Sequence, residues 1–224
     1  MVRAVGASDN RPMDLSTWLA FFVASWAISL SPGPGAVAAM GAGLNHGFAR
    51  GYVLSFGLIL GIVTQLAIVG VGLGAVMAAS STAFAVLKYG GVAYLVYLGV
   101  RQWRAPVAEG AAASALVNPR DDGRPLQMVL RGWLLNALNP KGTVFMLAVV
   151  PQFVSPAAPL LPQYLVIGAT LAFTDLVVMA GYTALASRVL ALLRSPRQQR
   201  WMNRGFGGLF VLAGLFLATF KRGV

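Results

Sequence analysis

The sequence predicts an all-α membrane protein: six transmembrane helices as an inverted 3+3 repeat, with helices 1 and 4 broken. Three observations carry that expectation. Hydrophobic residues make up 58% of the 224 positions, charged residues 10%, and mean hydropathy is +0.73, all far from soluble averages. Charge-free runs extend from Leu15 to Ala49, Gly51 to Leu87 and Gly142 to Thr174, each longer than the roughly 20 residues that cross a hydrocarbon core. Two apolar stretches are interrupted in the same way, at Ser31-Pro32-Gly33-Pro34-Gly35 and at Asn139-Pro140-Lys141-Gly142.

Taken in order, residues 1–14 form a polar tail without the pattern of a cleaved signal peptide, and Met13 is a second candidate start. Spans are expected near 15–40, 51–79, 82–103, 128–153, 160–187 and 203–220. In spans 1 and 4 an N-cap type residue, Ser31 or Asn139, stands directly before a proline, so one helix can stop and another start there. Such a break frees backbone groups that lipid cannot satisfy, and it persists only where protein surrounds it or where it lines a cavity. Matching interruptions in two halves point to a transporter's substrate site. Span 2 carries a small-residue face, Gly57, Gly61, Gln65 and Gly72, which reads as helix packing. Gln65 on that face suits either an interhelical hydrogen bond or a substrate contact. Span 3 opens with Lys88, which snorkels to an interface. The polar, turn-rich linker 105–127, read as cytoplasmic, separates a first three-helix repeat, 15–104, from a second, 128–224. Gly90 and Gly99 in span 3 match Gly205 and Gly214 in span 6, and an odd number of spans per repeat inverts the second in the membrane.

Orientation follows from the cations. The loops 1-2, 3-4 and 5-6 hold ten arginines, Arg50, Arg101, Arg104, Arg120, Arg124, Arg188, Arg194, Arg197, Arg200 and Arg204, whereas the other side holds four, Arg3, Arg11, Lys221 and Arg222. Both termini are therefore expected outside. Trp18, Trp103, Trp133 and Trp201 fall near span ends, as an aromatic belt requires. The net charge of +11 sits in these short loops and signals topology and anionic lipid rather than nucleic acid. With no cysteine, disulfides, thiolate metal sites and thiol electron transfer are excluded.

Chemistry concentrates in the breaks and in span 5. Asp175 is the only acid inside any expected span, and an ionised carboxylate there is costly unless paired, hydrated or protonated. It reads as a proton carrier or a ligand for an ammonium; the plain alternative is a structural ion pair. Tyr182, seven residues on, shares its face. Lys141 opposes the positive end of the half-helix it begins, so an anion is expected beside it, either Asp175 or a substrate carboxylate. Asn136 and Asn139 add amides, and the half-helix N-termini after Pro34 and Pro140 offer free N–H groups to an anion. The candidate substrate residues are thus Ser31, Gly33, Pro34, Gly35, Gln65, Asn136, Asn139, Pro140, Lys141 and Tyr182, with Asp175 for proton coupling. Gln152 reads as structural and His46 as a solvated loop residue, since no second histidine accompanies it. No metal, cofactor or catalytic residue is expected. An intramembrane enzyme is the rival class, but the chain has no Gly-x-Ser-x-Gly, His-Glu-x-x-His or P-loop pattern.

Three stretches together carry a family resemblance: Ser31-Pro32-Gly33-Pro34-Gly35, Asn139-Pro140-Lys141 with Pro151-Gln152-Phe153 downstream, and Leu87-Lys88-Tyr89-Gly90-Gly91-Val92-Ala93-Tyr94-Leu95. From about Met13 to Phe220 the chain resembles the LysE/RhtB family of bacterial amino-acid exporters. Asp175 to Tyr182 with Ala184-Leu185-Ala186, and Asn203-Arg204-Gly205-Phe206-Gly207, look most like its homoserine and threonine exporter branch. The resemblance implies a multi-pass inner-membrane protein that exports small amino acids or derivatives, such as homoserine, threonine or homoserine lactone, driven by protons. A homo-oligomer is compatible with it, and so is export of another small solute. One departure is visible: members commonly have Asn after Pro-Gly-Pro, where this chain has Gly35.

Overall fold

In the computed structural model, the described residues are 13, 15–104, 123–155, 158–186 and 196–219. Residues 1–12 of the polar tail, most of the linker, and Arg188, Arg194, Lys221 and Arg222 lie outside them. Regular structure among the described residues is all helical: α1 Leu15–Leu30, α2 Pro34–Gly51, α3 Val53–Ala79, α4 Ser81–Trp103, α5 Pro125–Ala137, α6 Pro140–Phe153, α7 Leu160–Ala184 and α8 Pro196–Thr219.

Both expected breaks are present, and they are nearly equal. The axis turns by 57° between α1 and α2 and by 56° between α5 and α6. Asn139 caps α6 as expected, its side chain accepting from the Lys141 N–H at 3.1 Å. Ser31 does not cap α2. There Pro34, not Pro32, takes the first helical position and Gly33 becomes the cap residue, without a side-chain bond. Two adjacent prolines offered two starts, and the chain uses the later one.

Several helices outrun the expected spans. α2 continues to Gly51, with a non-helical turn at Gly47, whose φ of +71° suits glycine. α5 and α8 begin at Pro125 and Pro196, where the missing N–H falls among groups that a helix leaves unbonded anyway. Two helices, α3 and α7, are long and apolar enough to cross a membrane, and four segments are if each bent pair counts as one. That count is of the described residues; the six spans expected from the sequence would add α4 and α8.

Close packing rests on small residues. Gly57 and Gly61 of α3 lie on the α5 backbone at Val129, Trp133 and Ala137, while Gly132 of α5 meets Leu54 of α3. A Cβ at Gly57 would strike the Val129 carbonyl. Gly72 faces open space, so the packing face ends at Gln65. α4 and α8 cross at Gly99 and Gly207, whereas a Cβ at Gly90 or Gly205 would meet nothing within 4 Å, so within the shared register Gly99 marks a contact and Gly90 and Gly205 do not.

Two apolar clusters fill the interior. Phe21 of α1, Leu66 and Leu73 of α3, Val149 and Phe153 of α6 and Ile167 of α7 belong to the first. Ala39 and Met40 of α2, Leu54 and Leu58 of α3, Met128 of α5 and Val178 of α7 belong to the second. Helices α3 and α7 run through both, and the two breaks lie at the junction. Outward faces are apolar too: Val71 is 78% exposed and Leu161 70% exposed, which suits lipid and not water.

Candidate functional site

A proline four residues after a helical carbonyl removes that carbonyl's normal donor. Pro34 does this to Leu30 and Pro140 does it to Asn136. Each of these carbonyls is met by a side chain from a distant helix, that of Asn136 in addition to the Asn139 N–H at 3.0 Å. Tyr182 of α7 donates its hydroxyl to the Leu30 carbonyl at 2.7 Å. Gln65 of α3 donates its Nε2 to the carbonyls of Asn136 and Asn139 at 2.8 and 3.0 Å, and to Thr143 Oγ1 at 2.8 Å. Lys141 Nζ reaches across from α6 to the Ser31 carbonyl and Oγ at 2.8 and 2.9 Å. Asn136 ties α5 to α3 by donating Nδ2 to the Leu58 carbonyl at 2.8 Å.

These contacts surround a cavity of about 80 Å³, lined by both polar and apolar side chains, at the junction of the two clusters. That space holds a few water-sized groups and lies well under the roughly 300 Å³ at which pockets for drug-sized ligands begin. It suits a small solute. Ser31, Gly33, Gly35, Gln65, Asn136, Asn139, Lys141 and Asp175 all line it. Pro34 and Pro140 border two neighbouring, larger cavities instead. Tyr182 does not line it; its hydroxyl holds the end of α1. Gly142 of the second break also lines the cavity, as do Ser29 and Met179, which nothing in the sequence singles out, because small and apolar residues at helical spacing look like ordinary packing.

The polar atoms of the cavity are unevenly satisfied. Carbonyl oxygens only accept, so the Gln65 nitrogen must face Asn136 and Asn139, and Oε1 is turned away from them. That buried oxygen has no partner, and a Cβ on Gly142 would stand 2.7 Å from it. Asp175 Oδ2 is likewise buried without a partner. Lys141 spends two of its three N–H donors on Ser31 and does not pair with Asp175, so the sequence's option of a structural ion pair between them is not realised. The first N–H groups of α2 have no side-chain cap either. One small cavity thus offers a cation, a carboxylate, a free amide oxygen and an uncapped helix N-terminus.

Away from it, His46 packs beside Gly123 at the junction of α2 and α5. Gln152 is buried in α6 and donates to the Ala148 carbonyl at 3.4 Å. Among the described residues no group of three His, Cys, Asp or Glu could hold a metal.

A family model described as LysE type translocator matches residues 26–220. The chain is 42% identical over 208 residues to the homoserine/homoserine lactone efflux protein of Salmonella typhimurium, covering 92% of this chain and 98% of that protein. An uncharacterized membrane protein of Vibrio cholerae is 37% identical over 211 residues, with 93% and 100% covered. A leucine efflux protein of Enterobacter is 23% identical over 197 residues, with 87% and 90% covered. No solved structure gives a significant match.

Proposed function

The chain belongs to the LysE family of translocators, and on that premise we propose that it is a secondary active transporter that exports small amino acids or their derivatives by proton antiport. The observation that carries this reading is one small cavity lined by Lys141, bonded to Ser31 but to no acid, and by Asp175, one oxygen of which has no partner. A lone charge at membrane depth costs about 2.5–3.5 kcal/mol. A zwitterion offsets both at once. Its carboxylate would take the third Lys141 proton and the free N–H groups of α2, and its ammonium would meet Asp175 and Gln65 Oε1. Once the ammonium leaves on the far side, Asp175 takes up a proton there and carries it back, which couples inward proton flow to outward export. The names of the relatives favour homoserine or homoserine lactone as cargo; homoserine is the zwitterion that fits both charges, whereas the lactone, an internal ester, brings only its amine to Asp175 and Gln65 Oε1. An enzyme is disfavoured because those relatives are efflux proteins. Cells expressing the chain should survive toxic amino-acid analogues better than cells with an empty vector; no protection across a broad panel would sink the reading.

The same reading takes α1–α4 and α5–α8 as an inverted 3+3 repeat of six spans in a bacterial inner membrane, with both termini outside and the linker cytoplasmic. Equal bends support it, as does the exchange in which α7 serves the first break and α3 the second. A reporter active only outside the cytoplasm should therefore work when fused after Val224. Activity of a cytoplasmic reporter at that position would reverse the assigned orientation.

A further inference from the structure

A second cavity, of about 920 Å³, lies beside the first. One wall comes from the end of α4, with Tyr94, Tyr97, Arg101 and Arg104; the other is made where both breaks open, at Pro34, Asn139, Pro140 and Lys141. Asn139 and Lys141 line both cavities, so the lysine side chain stands at the boundary between them. Among the described residues, three cations face this space and no acid lines it. Arg101 and Arg104 are exposed and Gln102 is held by donating to Asn203 Oδ1 at 2.9 Å, so the two guanidiniums remain available.

We propose that this second cavity is a water-filled, basic vestibule that gathers carboxylate-bearing solutes at Arg101 and Arg104 and passes them to Lys141. Its direction of use rests on the transporter reading; its charge and hydration do not. A cleft lined by one sign of charge between low-dielectric walls focuses the field and raises the local concentration of the opposite ion. Beyond a Debye length of roughly 8 Å at physiological salt that pull fades, so placing arginines at the mouth and a lysine at the inner end extends it along the path. An anionic lipid headgroup has the same chemistry, and the test separates the two.

The chain contains no cysteine, so Val100→Cys, on the vestibule wall, gives a unique thiol in the full-length protein reconstituted in vesicles. A negatively charged methanethiosulfonate should react about tenfold faster there than a positively charged one, and Arg101→Gln with Arg104→Gln should collapse that ratio. Tyr97→Cys repeats the measurement should Val100→Cys misfold. Equal rates, no reaction with either charged reagent, or a preference that survives loss of both arginines would overturn the proposal. So would an anionic-reagent reaction that proceeds in phosphatidylcholine but is blocked by phosphatidylglycerol, which gives the site to lipid. In transport, the double arginine variant should raise KM for homoserine with kcat unchanged; an unchanged KM counts against the vestibule. Absence of any amino-acid transport by the unsubstituted chain overturns the exporter reading while the thiol ratio still decides the vestibule.

Discussion

Asp175→Asn is expected to abolish export driven by a pH gradient while leaving substrate exchange across the same vesicles measurable. Asparagine keeps the size and polarity of the side chain but can neither carry a proton nor balance an ammonium. Coupling is lost and the cavity keeps its shape. Lys141→Met has a different signature. It removes a charge-assisted hydrogen bond worth about 1.5–3 kcal/mol, so apparent affinity for any carboxylate-bearing substrate should fall roughly 10- to 150-fold, and the Ser31 oxygens lose their donor. The structure leaves the two charges unpaired with each other, so the double variant should be no better than the worse single one. Recovery of transport in the double variant would mean that the pair is structural and that neither charge is reserved for substrate.

The breaks were legible because proline and glycine act locally: Pro34 and Pro140 cannot donate, whatever surrounds them. What answers them was not legible. Tyr182 lies 152 residues from Leu30 and Gln65 lies 71 from Asn136, and no periodicity announces which distant side chain will cap a carbonyl. Tyr182 was placed with the substrate residues because it shares a helix face with Asp175, yet a rise of two turns carries its hydroxyl to the end of α1. Gln65 suits two roles in the sequence: its nitrogen takes the interhelical one by closing the break, and its oxygen stays without a partner, which leaves it for the proposed substrate contact. Ser31 gave up its expected cap and became the acceptor for Lys141. Of the glycines on α3, Gly57 and Gly61 pack and Gly72 does not, a distinction set by where α5 ends and invisible in the spacing.

Gln65→Leu is expected to lower both stability and transport, and a companion substitution separates the two losses. Removing the amide takes a donor from Asn136 O, Asn139 O and Thr143 Oγ1. Asn136 O and Asn139 O retain the backbone donors of Asn139 and Thr143, so each loss falls toward the low end of the about 1–3 kcal/mol that an unsatisfied buried group costs. Together they still amount to a few kcal/mol, enough to show as a clear drop in the melting temperature of detergent-solubilised protein. Gly142→Ala keeps the amide and its three acceptors, but its Cβ would stand 2.7 Å from Oε1 and 3.3 Å from Nε2, so the planar amide must shift as one and its oxygen is displaced from the cavity. Stability should then fall less than in Gln65→Leu, because the donor is still present, while KM rises, since a ligand donor loses its acceptor in a water-poor cavity. If Gln65→Leu melts like the unsubstituted protein, the amide does not hold the break. If Gly142→Ala transports with unchanged KM, Oε1 does not face the substrate, and Asp175 must receive the ammonium alone.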